Sequence, residues 1–409
     1  MPSPAQSLTA WVVRNRSRLP GFIRRIPDTV EANPDGLLSR LAYGLLGGDA
    51  AAPAATAAPE GSPRVIVGPA NHAGQGTQWA RAMERCLTGA GARSLAVQVP
   101  GGHSFPADST VPFPVYWHSA RWQRAQRDAV IGGFDHALIE SMRPLFGGLC
   151  SGVDEEIDML REHGISIALM AHGTDIRSPR RHLSSSRWSP FRDDARVERL
   201  QRTADENAAF ARASGAPLFV STPDLLDDLP EATWCPVVVD ASLWQGGPAP
   251  FSRDRTPVVL HIPSSAAVKG TALIEPALRR LHDRGAVHYR RLEGVPAEAV
   301  PDAVRDADIV LDQFRIGSYG VAACEALAAG RVVVSHVAPA VRERVREATG
   351  LELPIFEADP DSLGAVLSGI AADPAAAVST AAAGPGFVDV VHSGRLSAAA
   401  LAAEWLDRP

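Results

Sequence analysis

Short apolar segments alternate with helix-like segments along most of the chain, and this rhythm limits the folds that it can adopt. The strands predicted in the first half are residues 64–67, 94–99, 165–170 and 217–221, and the helices are a run ending at residue 87, then 154–162 and 195–213. Strands that alternate with helices form a parallel sheet covered on both faces. We therefore predict a doubly wound α/β domain over residues 63–245.

The same pattern restarts after residues 245–250, a turn-rich stretch with the composition of a linker between domains. The strands predicted in the second half are residues 257–262, 287–292, 308–311 and 332–335, and the helices are 271–283, 297–305 and 319–329. This pattern predicts a second Rossmann-like domain over residues 246–394 and a final helix within 395–409. In two such domains that face a cleft, ligands bind at the carboxyl ends of the strands.

Composition narrows the classes of function. The 409 residues are 45% hydrophobic and 21% charged, as in a globular chain, and the net charge of −6 argues against a nucleic-acid binder. No apolar run reaches the ~20 residues that span a bilayer, and no signal-peptide pattern is found. The four cysteines lie far apart and no His or carboxylate pair has metal-ligand spacing, so we expect reduced thiols in the cytoplasm and no bound metal.

The N-terminal 62 residues differ from the rest of the chain. Residues 1–47 are basic and partly apolar, with a net charge of +3. Such a stretch can lie on an anionic membrane, which would place the protein at the inner face of that membrane. The alternative, which we favour, is that it packs as short helices on the protein's own surface. Residues 48–62 are rich in Ala and Pro and are predicted to be a mobile or extended linker.

One loop has the features of an anion site. The predicted strand that ends near Ile262 is followed by Pro263-Ser264-Ser265 and then by Lys269-Gly270 at the start of a predicted helix. Lys269 is the only lysine in the chain. Free N–H groups at a helix start, the helix dipole and an ammonium all favour a phosphate. The loop lacks the G-x-x-x-x-G-K-[ST] pattern of a Walker A loop, and an ordinary surface loop remains the alternative.

A second candidate follows the strand at 308–311. Asp312-Gln313 leads through Gly317-Ser318-Tyr319-Gly320 into a helix that carries Glu325 among Ala and Leu residues. A glycine-rich turn that opens a helix presents backbone N–H groups to an anion. Glu325 either caps something local or accepts hydrogen bonds from hydroxyl groups of a ligand.

The order of these motifs resembles the nucleotide-sugar domain of retaining GT-B glycosyltransferases and is most similar to their family 4. The motifs are a strand, Pro-Ser, Lys269-Gly270-Thr271 and a helix, then Ala-Asp-Ile-Val, Gly-x-Tyr-Gly and Glu-Ala-x-Ala-x-Gly. The resemblance is strong over residues 257–336 and mainly architectural over 64–245. It implies the GT-B fold of two Rossmann-like domains facing a cleft, with the last helix crossing back to the first domain.

The resemblance also implies roles for these residues. Lys269 would neutralise the diphosphate of the donor, Glu325 would hold the ribose hydroxyls, and the backbone at Tyr319 and Gly320 would cradle the diphosphate. The first Glu of the family's E-x7-E motif falls on Gly317, so a contact to the donor sugar is missing, and Gln313 is a candidate to replace it. The family's Arg before Lys-Gly is also absent, with Ser264 or Pro263 near its place.

The first half contributes weaker candidates. Gly74-Gln75-Gly76 resembles the glycine loop that approaches donor and acceptor, although an ordinary strand–helix turn fits as well. His172-Gly173-Thr174-Asp175 resembles a motif that contacts the transferred sugar, and the alternative is a strand-end His with structural hydrogen bonds. The predicted catalytic residues are His172 and Lys269. The predicted donor-binding residues are Gly74, Gly76, Asp175, Ser264, Ser265, Lys269, Gly270, Gln313, Tyr319, Gly320 and Glu325.

Two further groups stay open. Arg177, Arg180 and Arg181 either bind an anionic acceptor or are solvated. The aromatic residues around His118, which are Tyr116, Trp117 and Trp122, form either an acceptor surface or part of the core.

The function implied by the resemblance is sugar transfer from a nucleotide diphosphate sugar to an acceptor, with retention at the anomeric carbon. The nucleotide sugar is a substrate, and no cofactor or metal is expected. Two alternatives remain: a degenerate GT-B protein that binds nucleotide sugars without turnover, and a nucleotide-sugar epimerase of the same fold. The acceptor is a glycan, a lipid-linked molecule or a small molecule.

Overall fold

A computed structural model of the chain describes Gly36, residues 40–41, 43–44, 48–99 and 105–408. Most of the basic stretch 1–47 lies outside the described residues. Both alternatives for this stretch, packing on the protein's own surface and contact with a membrane, therefore stay predictions.

The described residues form two compact units. The first contains the chain up to Ala171, then Phe210–Phe219 and Ala402–Pro409. The second contains His172–Ala209 and Val220–Leu401. This division differs from the predicted boundary at residues 245–246. The turn-rich stretch packs inside the second unit, where Arg305 donates to the carbonyl of Leu243 over 2.6 Å and the backbone of Arg305 lies against Gly247.

The first sheet has seven strands in the order β3-β2-β1-β4-β5-β6-β7. They are β1 (Arg64–Gly68), β2 (Gly91–Gln98), β3 (Ser109–Pro112), β4 (His136–Glu140), β5 (Ser166–Ala171), β6 (Leu218–Val220) and β7 (Thr233–Trp234). The pairs β1–β2, β1–β4, β2–β3 and β4–β5 are parallel. The predicted strands of the first half are thus confirmed, with bounds shifted by up to three residues.

Between residues 64 and 213, the described part of the chain contains six α-helices. They are α1 (Gln75–Cys86), α2 (Phe113–His118), α3 (Ala120–Gly133), α4 (Val153–Glu162), α5 (Pro179–Ser185) and α6 (Val197–Ala213). The helices predicted to end at residue 87 and to span 154–162 and 195–213 are confirmed as α1, α4 and α6.

Residues 105–140 are organised although the sequence indicated no element there. Strand β3, helices α2 and α3, and the central strand β4 all fall in this region. Ser119 separates the two helices and caps α3 by accepting from the backbone N–H of Trp122 over 3.1 Å. Tyr116 and Trp122 are buried. For these two aromatic residues the core interpretation is therefore correct.

The predicted Ala/Pro linker is extended and packed over much of its length. Thr56 is fully buried, and its backbone N–H donates to the side-chain oxygen of Gln126 over 2.8 Å. The Gln126 amide donates in return to the Thr56 hydroxyl over 3.0 Å. These bonds attach residues near 56 to helix α3 within the first unit.

The second sheet has five strands in the order β12-β11-β10-β8-β9, and all neighbouring pairs are parallel. They are β8 (Val258–His261), β9 (His288–Arg291), β10 (Ile309–Leu311), β11 (Val332–Ser335) and β12 (Phe356–Glu357). The first four confirm the strands predicted in the second half.

Eight α-helices belong to this half of the sequence. They are α7 (Ala266–Lys269), α8 (Thr271–Asp283), α9 (Val300–Asp306), α10 (Val321–Ala328), α11 (Pro339–Thr349), α12 (Leu363–Ala372), α13 (Ala375–Val391) and α14 (Arg395–Leu401). Two apolar clusters pack around the sheet, one including Leu260 and Leu327 and the other including Val259 and Leu278. The chain then continues as a π-helix, Ala402–Leu406.

The search for membrane spans covered the described helices. None of them is by itself long and apolar enough to cross a bilayer, although one bent pair, Leu363–Ala372 with Ala375–Leu406, has the required length and composition across a bend of 101°.

Register in the second sheet brings the two predicted site loops together. His261 at the end of β8 pairs with Leu311 at the end of β10. Leu311 in turn pairs with Val334 of β11. The loops that begin at Ile262, Asp312 and His336 therefore leave the same edge of the sheet, the carboxyl edge where α/β folds place their ligands.

Candidate functional site

Lys269 lies at a sharp turn between two helices. Helix α7 ends at Lys269, Gly270 has φ +79°, and α8 begins at Thr271. Glycine is favoured there because a side chain strains the left-handed region. The carbonyl of Lys269 accepts from the N–H of Phe314 over 3.1 Å, which ties this turn to the loop after β10.

A buried histidine holds the same turn from below. His261 Nδ1 lies 3.2 Å from the carbonyl of Leu311, and Nε2 lies 2.9 Å from the hydroxyl of Thr271. Because a carbonyl only accepts, Nδ1 carries the proton and Nε2 accepts from Thr271. Burial lowers the pKa of His261 to about 4, so the ring is neutral at pH 7. The histidine thus links the ends of β8 and β10 to the start of α8.

The Lys269 ammonium forms an ion pair with Asp312. The Lys269 side chain is 15% exposed and that of Asp312 is fully buried. The other oxygen of Asp312 accepts from the N–H of Gly320 over 3.2 Å, at the start of α10. Asp312 thus occupies both groups that an anion would use. Sequence reasoning did not identify this pairing, although the position of Asp312 directly after a buried strand was a signal.

Glu325 lies in helix α10 and is electrostatically coupled to the same pair. Burial raises its pKa to about 8, with Lys269 opposing the shift and Asp312 adding to it. The carboxyl group is therefore mainly protonated at pH 7 in the ligand-free protein. The structure brings Lys269, Gly320 and Glu325 near one another, and Asp312 contacts the first two of them.

The turn after β10 is braced by its own side chains. The side-chain amide of Gln313 is buried and donates to the backbone carbonyl of Ser318. The backbone carbonyl of Gln313 accepts from the hydroxyl of Ser335 over 2.9 Å. The Tyr319 ring is buried, and its hydroxyl lies 3.3 Å from His392 Nε2. Gln313 and Tyr319 thus hold the shape of the turn with their side chains, while its backbone faces the Lys269 loop.

Gly317 stands where the sequence resemblance expects the first Glu of the E-x7-E motif. Its φ is +76°, a conformation in which any β-carbon is strained. A β-carbon built there would lie 3.5 Å from Cβ of Ala338 and 3.8 Å from Nε2 of His336. The turn therefore favours a glycine, and space is left beside His336.

The residues before Lys269 contribute little charge. Ser264 and Ser265 are exposed, and the Ser265 carbonyl accepts from the N–H of Lys269 over 2.9 Å. A nearby cation is Arg315, which donates to the carbonyls of Trp188 and Ser189 over 2.8 and 2.7 Å. Its guanidinium joins backbone segments instead of filling the place of the family's missing Arg.

His172 and Asp175 form a compact turn directly after β5. The Asp175 carboxylate accepts from the backbone N–H of His172 over 2.9 Å and from that of Gly173 over 2.5 Å. His172 is partly exposed. Asp175 therefore shapes the turn that carries His172. The contact of these residues with a transferred sugar stays a prediction.

The arginines that follow are paired. Arg177 is buried and contacts Asp224 at 2.6 Å. Arg181 contacts Asp228 at 2.5 Å and Asp227 at 3.0 Å. Arg177 and Arg181 are therefore paired with carboxylates and not simply solvated, whereas binding of an anionic acceptor by these arginines stays a prediction.

Gly74 and Gly76 lie in the first unit, whereas the other predicted site residues lie in the second. Gly74 has φ +76° and precedes α1. A β-carbon at Gly76 would come within 2.9 Å of the carboxylate of Glu140, which also accepts from the N–H of Asn71 over 2.8 Å. Close packing against a buried carboxylate therefore accounts for glycine at position 76.

A cavity of about 430 Å³ lies beside Gly317 within the second unit. Residues that line it include Arg181, His182, Trp188, Asp224, Gly317 and His336. Sequence reasoning did not single out Asp224. Within the residues that the structure describes, no three His, Cys, Asp or Glu side chains are grouped to hold a metal ion.

Comparison with known proteins extends the description of the fold. No protein-family model and no curated protein matches the sequence. Sucrose-phosphate synthase from Thermosynechococcus elongatus is similar in structure, with a TM-score of 0.54 and 14% identity over 81% of this chain and 96% of that chain. Anabaena HepE in complex with UDP-glucose has a TM-score of 0.50 and 10% identity over 83% and 98% of the two chains.

A second structure of Anabaena HepE, in complex with UDP and glucose, also has a TM-score of 0.50, with 12% identity over 81% of this chain and 96% of that chain. At such low identities these similarities establish architecture alone. Together with the two parallel α/β sheets, they show that this chain has the GT-B fold of glycosyltransferases.

Proposed function

We propose that this chain is a glycosyltransferase that moves a sugar from a nucleotide diphosphate sugar to an acceptor hydroxyl, with retention at the anomeric carbon. The observation that carries the proposal is the convergence of Lys269, the N–H of Gly320 and Glu325 at the carboxyl edge of the second sheet. The GT-B fold supports it. HepE, which shares the fold, has been solved with UDP-glucose, so UDP-sugars are the first donors to test.

The chemistry requires stabilisation of the charge that develops on the departing diphosphate. The Lys269 ammonium and the N-terminus of α10 would supply this stabilisation, and their contacts with the Asp312 carboxylate support the proposal because both already hold an anion. A diphosphate would take over these contacts. Preorganised donors of this kind act without reorganising during the reaction.

Glu325 would bind the ribose. A carboxylate can accept hydrogen bonds from two neighbouring hydroxyls, whereas its protonated form accepts less well. Because the pKa of Glu325 is about 8 in the ligand-free protein, ribose binding would favour loss of its proton. Nucleotide binding and Glu325 ionisation are therefore linked in the proposal.

Retention follows from a front-face reaction, which the sequence resemblance suggests. The bond between the anomeric carbon and the phosphate oxygen breaks, and the acceptor oxygen bonds to the same face of that carbon. The acceptor proton passes to the departing diphosphate. His172 would contact the transferred sugar. The reaction is proposed to occur in the cytoplasm and to need no cofactor or metal.

Turnover tests the proposal. The full chain is incubated with UDP-, GDP- and dTDP-sugars, with and without cell-extract acceptors, while release of nucleoside diphosphate and the identity of the sugar are followed. Acceptor-dependent release with a new glycoside of retained configuration is expected. A donor converted to its epimer without acceptor would identify the epimerase alternative. Binding without release under every condition would identify a degenerate binding protein, which Gly317 makes the second candidate.

A further inference from the structure

His336 has a ring nitrogen that is open to the cavity beside Gly317. The residue follows strand β11 directly, and it lines the cavity together with Gly317. Its side chain is 22% exposed. Among the described residues, its Nε2 has no hydrogen-bond partner, and this atom is not shielded from solvent. A ligand in the cavity can therefore reach Nε2.

Glu357 holds the orientation of the imidazole ring. Its Oε1 lies 2.8 Å from Nδ1 of His336, and its Oε2 accepts from the backbone N–H of Val337 over 2.8 Å. Because a carboxylate only accepts, Nδ1 carries a proton. A hydrogen bond at one nitrogen of an imidazole thus leaves the other nitrogen for a second partner. In His336 that second nitrogen is Nε2.

The loop that carries His336 is tied to the turn at Gly317. The N–H of His336 donates to the carbonyl of Gln313, and the N–H of Ala338 donates to the carbonyl of Gly317, both over 2.8 Å. A β-carbon at Gly317 would lie 3.8 Å from Nε2 of His336. Nε2 therefore borders the space into which a glutamate at position 317 would extend, and glycine leaves that space to a ligand.

The place of this space beside the proposed nucleotide site favours the sugar as its occupant. Gly317 lies in the turn that leads to Gly320, whose N–H belongs to the proposed diphosphate site, and Glu325 follows in α10. In the proposed function Glu325 holds the ribose at one end of the diphosphate. The transferred sugar is attached to the other end, so the space at Gly317 remains for it.

The chemistry of Nε2 suits a hydroxyl group. With one proton on the ring, at Nδ1, Nε2 accepts a hydrogen bond, and with a second proton it donates one. A hydroxyl both donates and accepts, so it pairs with Nε2 in either state. The cavity of about 430 Å³ has the size of a ligand pocket, and Trp188 gives it an aromatic wall.

Arginines that line the cavity are paired with carboxylates. Arg181 contacts Asp227 and Asp228, and Arg187 contacts Asp361 at 2.9 Å. Paired charges leave little excess charge to attract an ionised group. This arrangement also favours a ligand with neutral hydroxyl groups.

We propose that Nε2 of His336 forms a hydrogen bond with a hydroxyl of the transferred sugar, and that Glu357 positions the imidazole for this contact. His336 thus takes the part of the glutamate that is missing at Gly317. The inference rests on the proposed function and deepens it, because it names a residue that selects donors with a hydroxyl at one position of the sugar.

The test separates binding of the sugar from binding of the nucleotide. Isothermal titration of the full chain gives the Kd of UDP, GDP and dTDP and of their glucose, galactose, mannose and rhamnose conjugates. The ratio of the diphosphate Kd to the conjugate Kd measures the contribution of the sugar. The conjugate with the largest ratio in the wild type is then titrated together with its monodeoxy analogues.

Three variants and one control are compared with the wild type. His336→Ala removes the imidazole, and His336→Phe keeps an aromatic ring without its nitrogens. Glu357→Gln alters the group that orients the ring. The control is His288→Ala, at an exposed histidine of β9 that pairs with Val258 at the opposite edge of the same sheet.

We expect both His336 variants to reduce the contribution of the sugar about tenfold, with the diphosphate Kd unchanged within about twofold. Glu357→Gln should reduce the contribution less, and should reduce it no further in the His336→Ala background. His288→Ala should leave both quantities unchanged. One monodeoxy analogue should bind the wild type about tenfold more weakly than its parent, and His336→Ala should not weaken it further, because the bond is already absent.

Two results would overturn the role of His336 and leave the proposed function standing. One is an unchanged contribution of the sugar in both His336 variants. The other is an equal loss for the diphosphate and its conjugate, which would mean that the nucleotide and not the sugar contacts His336. A further loss in the Glu357→Gln, His336→Ala double variant would overturn the positioning role of Glu357. A wild type that binds none of the three diphosphates would overturn the inference and the proposed function together.

Discussion

At the scale of single residues, Asp312 determines the charge of the site before a ligand arrives. Its carboxylate pairs with Lys269 and accepts from Gly320. With Lys269 neutralised and Glu325 mainly protonated, the ligand-free site has little net charge. A diphosphate must therefore compete with Asp312 for the same two donors.

Removing the Asp312 charge should strengthen diphosphate binding. We expect Asp312→Asn to lower the Kd of the bound nucleoside diphosphate about fivefold or more, because a like charge within a few ångströms of the ligand is lost. Equilibrium titration measures this effect. Asp302→Asn, at an exposed carboxylate of the same unit, should change the Kd less than about twofold. Weaker binding by Asp312→Asn would show that Asp312 positions Lys269 instead.

The pKa of Glu325 predicts how binding depends on pH. Below its pKa of about 8 the carboxyl is neutral, and above that value it is ionised and accepts from the ribose. Diphosphate affinity should therefore rise about fivefold to tenfold between pH 7 and 9. Titrations at several pH values should show this rise in the wild type and in Glu298→Gln, an exposed control. Glu325→Gln should bind more weakly and show no rise. If Glu325→Gln kept the pH profile of the wild type, the role of Glu325 in binding the ribose would be ruled out.

Lys269 and Glu325 could be identified from the sequence because each has a charged side chain at an informative place. Lys269 follows a predicted strand, and Glu325 lies within a predicted helix. It could not identify the pairing of Lys269 with Asp312, 43 positions away. That contact depends on the register of β8 and β10. Asp224 was missed for a related reason, because its pairing with Arg177 joins residues 47 positions apart.

At the scale of elements, the α7–Gly270–α8 turn positions the lysine. A β-carbon at Gly270 would lie 3.0 Å from Cγ of Arg315, at φ +79°. Gly270→Ala should lower the free energy of unfolding by about 1–2 kcal/mol and should also weaken diphosphate binding, because the turn that carries Lys269 must shift.

Gly294 provides a matched control for that substitution. It has φ +65° and no atom within 4 Å of a built β-carbon. Gly294→Ala should therefore lower the free energy of unfolding by the same contribution from backbone strain, while the diphosphate Kd stays unchanged. Urea denaturation and titration give both quantities. Equal Kd values in the two variants would contradict the role assigned to the Gly270 turn.

The elements themselves were largely predictable. Buried parallel strands are continuous apolar runs, as Val258–His261 and Val332–Ser335 show, and they stand out from the polar helices between them. The region 105–140 was missed because β3 has only four residues and α2 contains a proline. Both features weaken the periodicity on which sequence reasoning depends.

At the scale of the whole molecule, the first unit includes the C-terminal residues Ala402–Pro409. Trp405 is 1% exposed, its indole N–H donates to the Ser166 hydroxyl over 2.9 Å, and its ring meets His136 edge-on at 5.2 Å. Trp405→Ala should lower the free energy of unfolding by about 3–5 kcal/mol. Trp405→Phe, which removes the hydrogen bond and keeps most of the packing, should cost about 1 kcal/mol. Denaturant titration of both variants tests this, and equal losses would contradict the packing role.

The number of α/β units was predictable because the strand–helix rhythm restarts in the second half. Their membership was not, since residues 172–209 and 220–245 contribute their contacts to the second unit. Alternation of elements specifies a sheet, but it does not specify which contacts a connecting segment makes. The turn-rich stretch at 245–250 lies within the second unit.

The measurement that tests the central claim most directly is the affinity of UDP, GDP and dTDP for the wild type and for Lys269→Ala, by isothermal titration. Arg279→Ala, at an exposed cation of the same unit, is the control. We expect at least one diphosphate to bind the wild type and Arg279→Ala equally, and to bind Lys269→Ala at least about fifty-fold more weakly, because the ammonium is the main positive charge facing the phosphates. Wild-type affinity in Lys269→Ala would contradict the account.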